Sequence, residues 1–195
     1  MLNGWLWVST YTGIAVITVF ALPLAALVVW VLAHRRSVNG NPSAWRTSLA
    51  DVGIVYGTVP WVWMIMLPGG NADAVPGRMS LIPLQDLITI LADGPLRATG
   101  QIIGNLLVFA ALGFFVPLRF AALASVPRIL ALAASCSVLV ETLQYVLRLD
   151  RVSSVDDVLL NTAGAGLAAL ASRRWWRTTA EAPSHQPRPA PAPAG

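Results

Sequence analysis

Three short stretches of an otherwise apolar chain carry residues able to do acid–base or head-group chemistry. Glu141, Gln144 and Arg148 recur at i, i+3 and i+7, a spacing that puts all three on one face of a helix. Helical side chains tilt toward the N-terminus, so Arg148 is expected to lean back toward Gln144 and Glu141, with Gln144 bridging the two charges. Asp157, Asn161 and Gly164 follow at i, i+4 and i+7 with Asp156 beside them, and Gln101 and Asn105 form a further i, i+4 pair. Two carboxyl sources, Glu141 and Asp156 or Asp157, with an arginine between them would suit general acid–base work. Arg148 and Arg151, joined by Arg97, would instead suit anionic head groups, which basic pockets between helices attract.

Each of these residues also has a plainer reading. Asp156 and Asp157 follow Ser153-Ser154, so both fit as first-turn acids of a capped helix, stabilised by its dipole. Glu141 and Arg148 would serve equally as a structural ion pair, since polar side chains also hold membrane helices together. Gly164 and Gly166, with Ala163, Ala165 and Ala168, read as a close-packing surface, and Gly104 and Gly113 read likewise. Asp51 stands alone near one end of an apolar segment and is expected only to face an interface.

Several chemistries find no support. The one cysteine, Cys136, lies inside an apolar run, which leaves no intramolecular disulfide and no thiolate metal site. His34 and His185 have no ligand partner at helical spacing, so no metal and no cofactor is expected. No nucleophile elbow and no P-loop is present.

The elements that must position these residues follow from composition. Hydrophobic residues make up 56% of the 195, charged residues only 11%, and mean hydropathy is +0.65. A water-soluble domain carries about 25% charged residues to wet its surface. Lipid is therefore the expected solvent, and the fold class is all-α: a polytopic transmembrane helix bundle of about five spans plus a short interfacial helix. All 13 basic residues are arginines, placed in ones and twos between apolar runs. That is a pattern of membrane topology rather than of a nucleic-acid face.

The first apolar stretch runs from about Trp5 to Ala33, and the second from Leu49 to Leu67 with Trp61 and Trp63 toward its outer end. Between Pro68 and Thr99, Leu84, Leu87, Ile88 and Leu91 recur at i, i+3, i+4 and i+7, opposite Gln85, Asp86, Thr89 and Asp93. This segment is too short to span and predicts a helix lying in the interface. The third span covers about Gln101 to Pro117, the fourth Ile129 to Leu147 and the fifth Val155 to Ala171. Residues 1–48 thus form a first helix and a cytoplasmic loop, 49–177 the main bundle, and 178–195 a disordered Pro/Ala-rich tail. With the N-terminus outside, Arg35, Arg36, Arg46, Arg119, Arg128, Arg173, Arg174 and Arg177 lie inside, against Arg78, Arg97, Arg148 and Arg151 outside. The positive-inside bias favours that orientation, a multi-pass plasma-membrane protein with a cytoplasmic C-terminus. In this layout all the polar residues of interest fall in the outer half of the membrane, at one depth.

The segment Glu141-Thr142-Leu143-Gln144, then Arg151, then Asp156 through Ala165 (DDVLLNTAGA) resembles the C-terminal signature of VanZ-like bacterial membrane proteins. Gly104-Asn105 followed by Phe109, Gly113 and Pro117 resembles an upstream stretch of that family, with Ala111 where proline is frequent. Leu81-Ile82-Pro83-Leu84 resembles a third element, with Ser80 and Leu84 as departures. The resemblance covers about residues 78–172. It implies a cell-envelope context and an association with low-level resistance to teicoplanin-type glycopeptides, with no reaction attached.

Three functions are compatible with this reading. The first is a non-catalytic protein that binds membrane lipids or a lipid-linked cell-wall precursor at the outer leaflet, using Gln101, Asn105, Gln144, Arg148, Arg151 and Asn161. The second is a membrane enzyme modifying or hydrolysing a lipid head group, with Glu141, Asp156 and Asp157 as candidate catalytic carboxylates. The third, ion-coupled transport through Glu141, is hard to draw with polar residues confined to one leaflet.

Overall fold

A computed structural model describes residues 11–68, 78–149 and 152–176. The expected start of the first helix at Trp5, Arg151, Arg177 and the Pro/Ala-rich tail lie outside the described residues, and so does the side chain of Arg97. Helix α1 (Tyr11–Val38) runs 28 residues and ends in Arg35 and Arg36. A turn with Gly40 at φ +76° and an Asn41 Oδ1 that accepts the Ser43 N–H at 2.9 Å reverses the chain. Helix α2 (Ala44–Ile65) then packs back along α1 as a hairpin. The lipid-ward face of α1 is apolar and open, with Phe20 80% exposed.

A three-residue strand, β1 (Arg78–Ser80), pairs in parallel with β2 (Val152–Ser154), register Ser80 opposite Ser154. The all-α architecture therefore carries one small β-ribbon that the hydrophobic periodicity did not predict; three residues are too few to show an alternating pattern. Helix α3 (Gln85–Asp93) follows, then α4 (Pro95–Val108), α5 (Ala110–Arg119), α6 (Val126–Val146) and α7 (Val155–Ser172). The expected third span is thus longer at its start and is interrupted at Phe109.

Among the described residues four helical stretches are long and apolar enough to cross a membrane: Tyr11–Val38, Ala44–Ile65, Ala98–Arg119 and Val126–Val146. The segment expected as the fifth span is the helix α7, which is not among these four: it opens with two aspartates and is rich in glycine and alanine. Its place is inside the bundle, against α4, α5 and α6. Small residues allow this. A Cβ on Gly164 would overlap the carbonyl oxygen of Leu106, and one on Gly113 would overlap that of Ala165. Main chain meets main chain at these two crossings, as small-residue interfaces permit in membranes. Around them Val108, Ile129, Ala133, Ala165 and Ala169 are fully buried.

At the end of the bundle where α1 closes and α2 opens, Asp51 is not alone. Its Oδ2 lies 2.6 Å from Arg36 and its Oδ1 2.6 Å from Arg119 Nε, while Arg36 also donates to Ser48 Oγ at 3.0 Å. One carboxylate thus ties α1, α2 and α5 together. The expectation of a lone interfacial aspartate is corrected: two helix-terminal arginines sit at its level and pair with it.

Candidate functional site

The opposite end gathers the C-terminal turns of α2 and α6 with the N-terminal turns of α4 and α7. Helix α6 stops at Val146 in a Schellman closure, in which Arg148 N–H bonds Tyr145 O at 3.2 Å and Leu149 N–H bonds Gln144 O at 3.2 Å. The residue at C′ in that closure must be left-handed and is usually glycine. Here it is Arg148, at φ +50°. The helical face drawn through Glu141, Gln144 and Arg148 therefore breaks before its last member. Arg148 is exposed, and the ion pairs formed among the described residues do not include it. Gln144 does not bridge to it either. Its Nε2 donates to the carbonyl of Ile65 at 2.8 Å, satisfying one of the open carbonyls at the end of α2.

Glu141 is only 9% exposed. Its Oε2 accepts the Ser154 N–H at 3.0 Å and its main-chain oxygen accepts the Ser153 hydroxyl at 2.9 Å. Ser154 is also the N-cap of α7, with Oγ accepting the Asp156 N–H at 3.1 Å. Glu141 is thereby fastened to the turn that launches the two aspartates.

The aspartates part company. Asp156 accepts the Leu84 N–H at 2.5 Å and the Leu87 N–H at 3.0 Å, so its carboxylate caps α3 from a different part of the chain. Leu84, which enters α3 at φ +68°, is held in that left-handed conformation beside the same carboxylate. The first-turn reading describes Asp156 in part, and its second role was invisible without the tertiary fold. Asp157 instead accepts from Asn105 Nδ2, with Gln101 beside it. One turn deeper, Asn161 is 1% exposed; its Nδ2 donates to Ser137 Oγ at 2.8 Å, and its Oδ1 has no partner.

These groups surround a cavity of about 590 Å³. Gln101, Asn105, Glu141, Gln144, Asp157 and Asn161 line it; Asp156 and Arg148 do not. Trp61 and Tyr11 add aromatic surface, and Asp86, Thr89 and Ile90 of α3 close one side. The other face of α3 is apolar and open, with Ile88 65% and Leu91 55% exposed. A short amphipathic helix in that position has one face in lipid and the other over the cavity.

The sequence pattern missed Ser137 and Asp86. Ser137 continues the Glu141–Gln144 face one turn toward the helix start, at i, i+4 and i+7, so extending that face in the other direction finds it. Asp86 was visible only as the polar side of an interfacial helix. Among the described residues no group of three or more His, Cys, Asp or Glu is arranged to hold a metal ion. Chemically, the cavity offers carboxylate oxygens, carboxamides and aromatic faces to a ligand of head-group size.

Fold and site together define a helical membrane protein with a polar cavity at one end of its bundle. Residues 54–176 match the VanZ/LLP1 family, and the chain belongs to it. The match begins within α2 and so extends beyond the residues whose motifs carry the resemblance. No curated protein and no solved structure matches the chain.

Proposed function

We propose that this VanZ/LLP1 protein is a non-catalytic envelope protein that holds the head group of a membrane lipid or lipid-linked cell-wall precursor in its polar cavity. The cavity faces the outer leaflet, and occupying it alters the access of teicoplanin-type glycopeptides to their target. The convergence of four helices' polar residues on one cavity of about 590 Å³ supports this reading most strongly. Uncompensated polar groups in hydrocarbon are costly, and in membrane proteins they mark ligand paths more often than chance. The anionic partner expected for Arg148 loses its support, because Arg148 stands off the cavity. Among the described residues the binding set becomes Gln101, Asn105, Gln144, Asp157 and Asn161, and Arg151 lies outside them.

One observation favours an enzyme as the second reading: Glu141 and Asp157 line the same cavity from different helices, as an acid–base pair would. Expression in a glycopeptide-susceptible bacterium, with lipid extraction and mass spectrometry for wild type and Glu141→Gln, separates the two. The binding reading expects lowered teicoplanin susceptibility and lipid that co-purifies with an unchanged membrane profile. A head-group profile that changes in wild type and reverts in Glu141→Gln would replace it with the enzyme.

A further inference from the structure

Resting on the head-group reading, we infer that the cavity selects a head group bearing a primary ammonium, and that Asp86 of the interfacial helix is its specificity-determining carboxylate. Three carboxylates on three different helices line the cavity: Asp86 on α3, Glu141 on α6 and Asp157 on α7. No arginine or lysine lines it among the described residues. An anionic head group brought to such a surface would meet like charge at short range, which is disfavoured most where water is scarce.

The three acids differ in how far the protein has used them. Glu141 is fastened to Ser154 and Asp157 to Asn105. Asp86 makes no hydrogen bond or ion pair among the described residues, though it sits half-buried on the cavity wall. A second, independent feature points the same way. Asn161 lines the cavity at 1% exposure with its nitrogen spent on Ser137, leaving Oδ1 without a donor. A buried acceptor of this kind costs free energy until something donates to it.

At Asp86 and Asn161 the unmet demand is for N–H or O–H donors and positive charge. An ammonium supplies three donors and one charge, and Trp61 offers it an aromatic face. Two kinds of lipid carry that chemistry, an aminophospholipid and an amino-sugar lipid. The apolar outer face of α3 at Ile88 and Leu91 provides for the acyl chains of either.

The test is native mass spectrometry of the full chain in detergent, titrated with lipids of matched acyl chains. The probes are phosphatidylethanolamine, its N-acetylated derivative, phosphatidylglycerol and a glucosaminyl diacylglycerol. At least one free-amine lipid should bind about tenfold or more tighter than phosphatidylglycerol, a ratio equal to the worth of one charge-assisted hydrogen bond. N-acetylation should remove that advantage with the protein unaltered, and Asp86→Asn should weaken the free-amine lipid while leaving phosphatidylglycerol unchanged. Which free-amine lipid binds tighter identifies the source. Equal binding of the free and acetylated amines, or tighter binding of phosphatidylglycerol, would overturn the ammonium inference while the head-group reading stands. Binding of none of the lipids would remove both.

Discussion

At one end of the bundle Asp51 is shared between Arg36 and Arg119, each at 2.6 Å. At the other, Asp86, Glu141 and Asp157 surround a cavity whose described lining contains no basic side chain. Both ends place ionisable groups in the bundle, yet only at the first do described arginines pair with a carboxylate. That end joins three helices through one shared carboxylate. The cavity end keeps an orphan carboxamide oxygen at Asn161 and a carboxylate at Asp86. A protein that needed polar residues only as mortar would finish both ends in the same way.

The contrast depends first on the crossing that holds the ends in register. Gly164→Leu should be the most damaging change, costing about 3 kcal/mol or more, because its side chain meets the main chain of Leu106 rather than a movable group. Loss of the folded species in size-exclusion chromatography is the expected outcome, and a monodisperse variant would contradict the close approach. Next comes Asp156→Ala, which removes the acceptor of two N–H groups at the start of α3, a loss of about 2–3 kcal/mol. Hydrogen exchange should rise in residues 84–93 and stay unchanged in α6. Uniform protection would mean that α3 does not depend on this cap.

Asp51→Asn should be milder. The pairs are partly exposed, 28% on the aspartate, and solvent screening reduces their worth to about 1 kcal/mol. Thermal stability in detergent should fall slightly while lipid binding is kept. Impaired lipid binding would mean that the two ends are coupled. Smallest of all is Arg148→Gly, which relieves a left-handed arginine and should be neutral or stabilising by up to about 1 kcal/mol. Because Arg148 stands off the cavity, lipid binding should not change; a collapse would return it to the binding set.

Much of this arrangement was legible in residue types and spacing. The gathering of polar residues from three helices at one end, the amphipathic helix α3 and the small-residue packing surface all follow from periodicity, because lipid penalises each polar group that strays. The same argument about depth was available for Asp51 with Arg36 and Arg119, since all three sit near helix ends at one side. It was not seen because the partners lie 15 and 68 residues away. Arg148 failed for a different reason. A helical face extrapolated through i+7 assumes that the helix continues, and the α6 closure at Val146 is set by main-chain hydrogen bonds that carry no glycine signal here. The role of Asp156 was hidden because a carboxylate capping a helix 69 residues upstream leaves no local pattern.

The most direct measurement is the amount of lipid retained per protein after purification, compared between wild type, Asp157→Asn and Asp51→Asn. Asp157 faces the cavity and Asp51 the opposite end, so each variant loses one carboxylate charge at one end only. Lipid retained by wild type and Asp51→Asn but reduced about tenfold in Asp157→Asn is the expected result, again the scale of one charge-assisted bond. Equal retention by all three, or a loss confined to Asp51→Asn, would contradict the assignment of the cavity as the place where a head group is held.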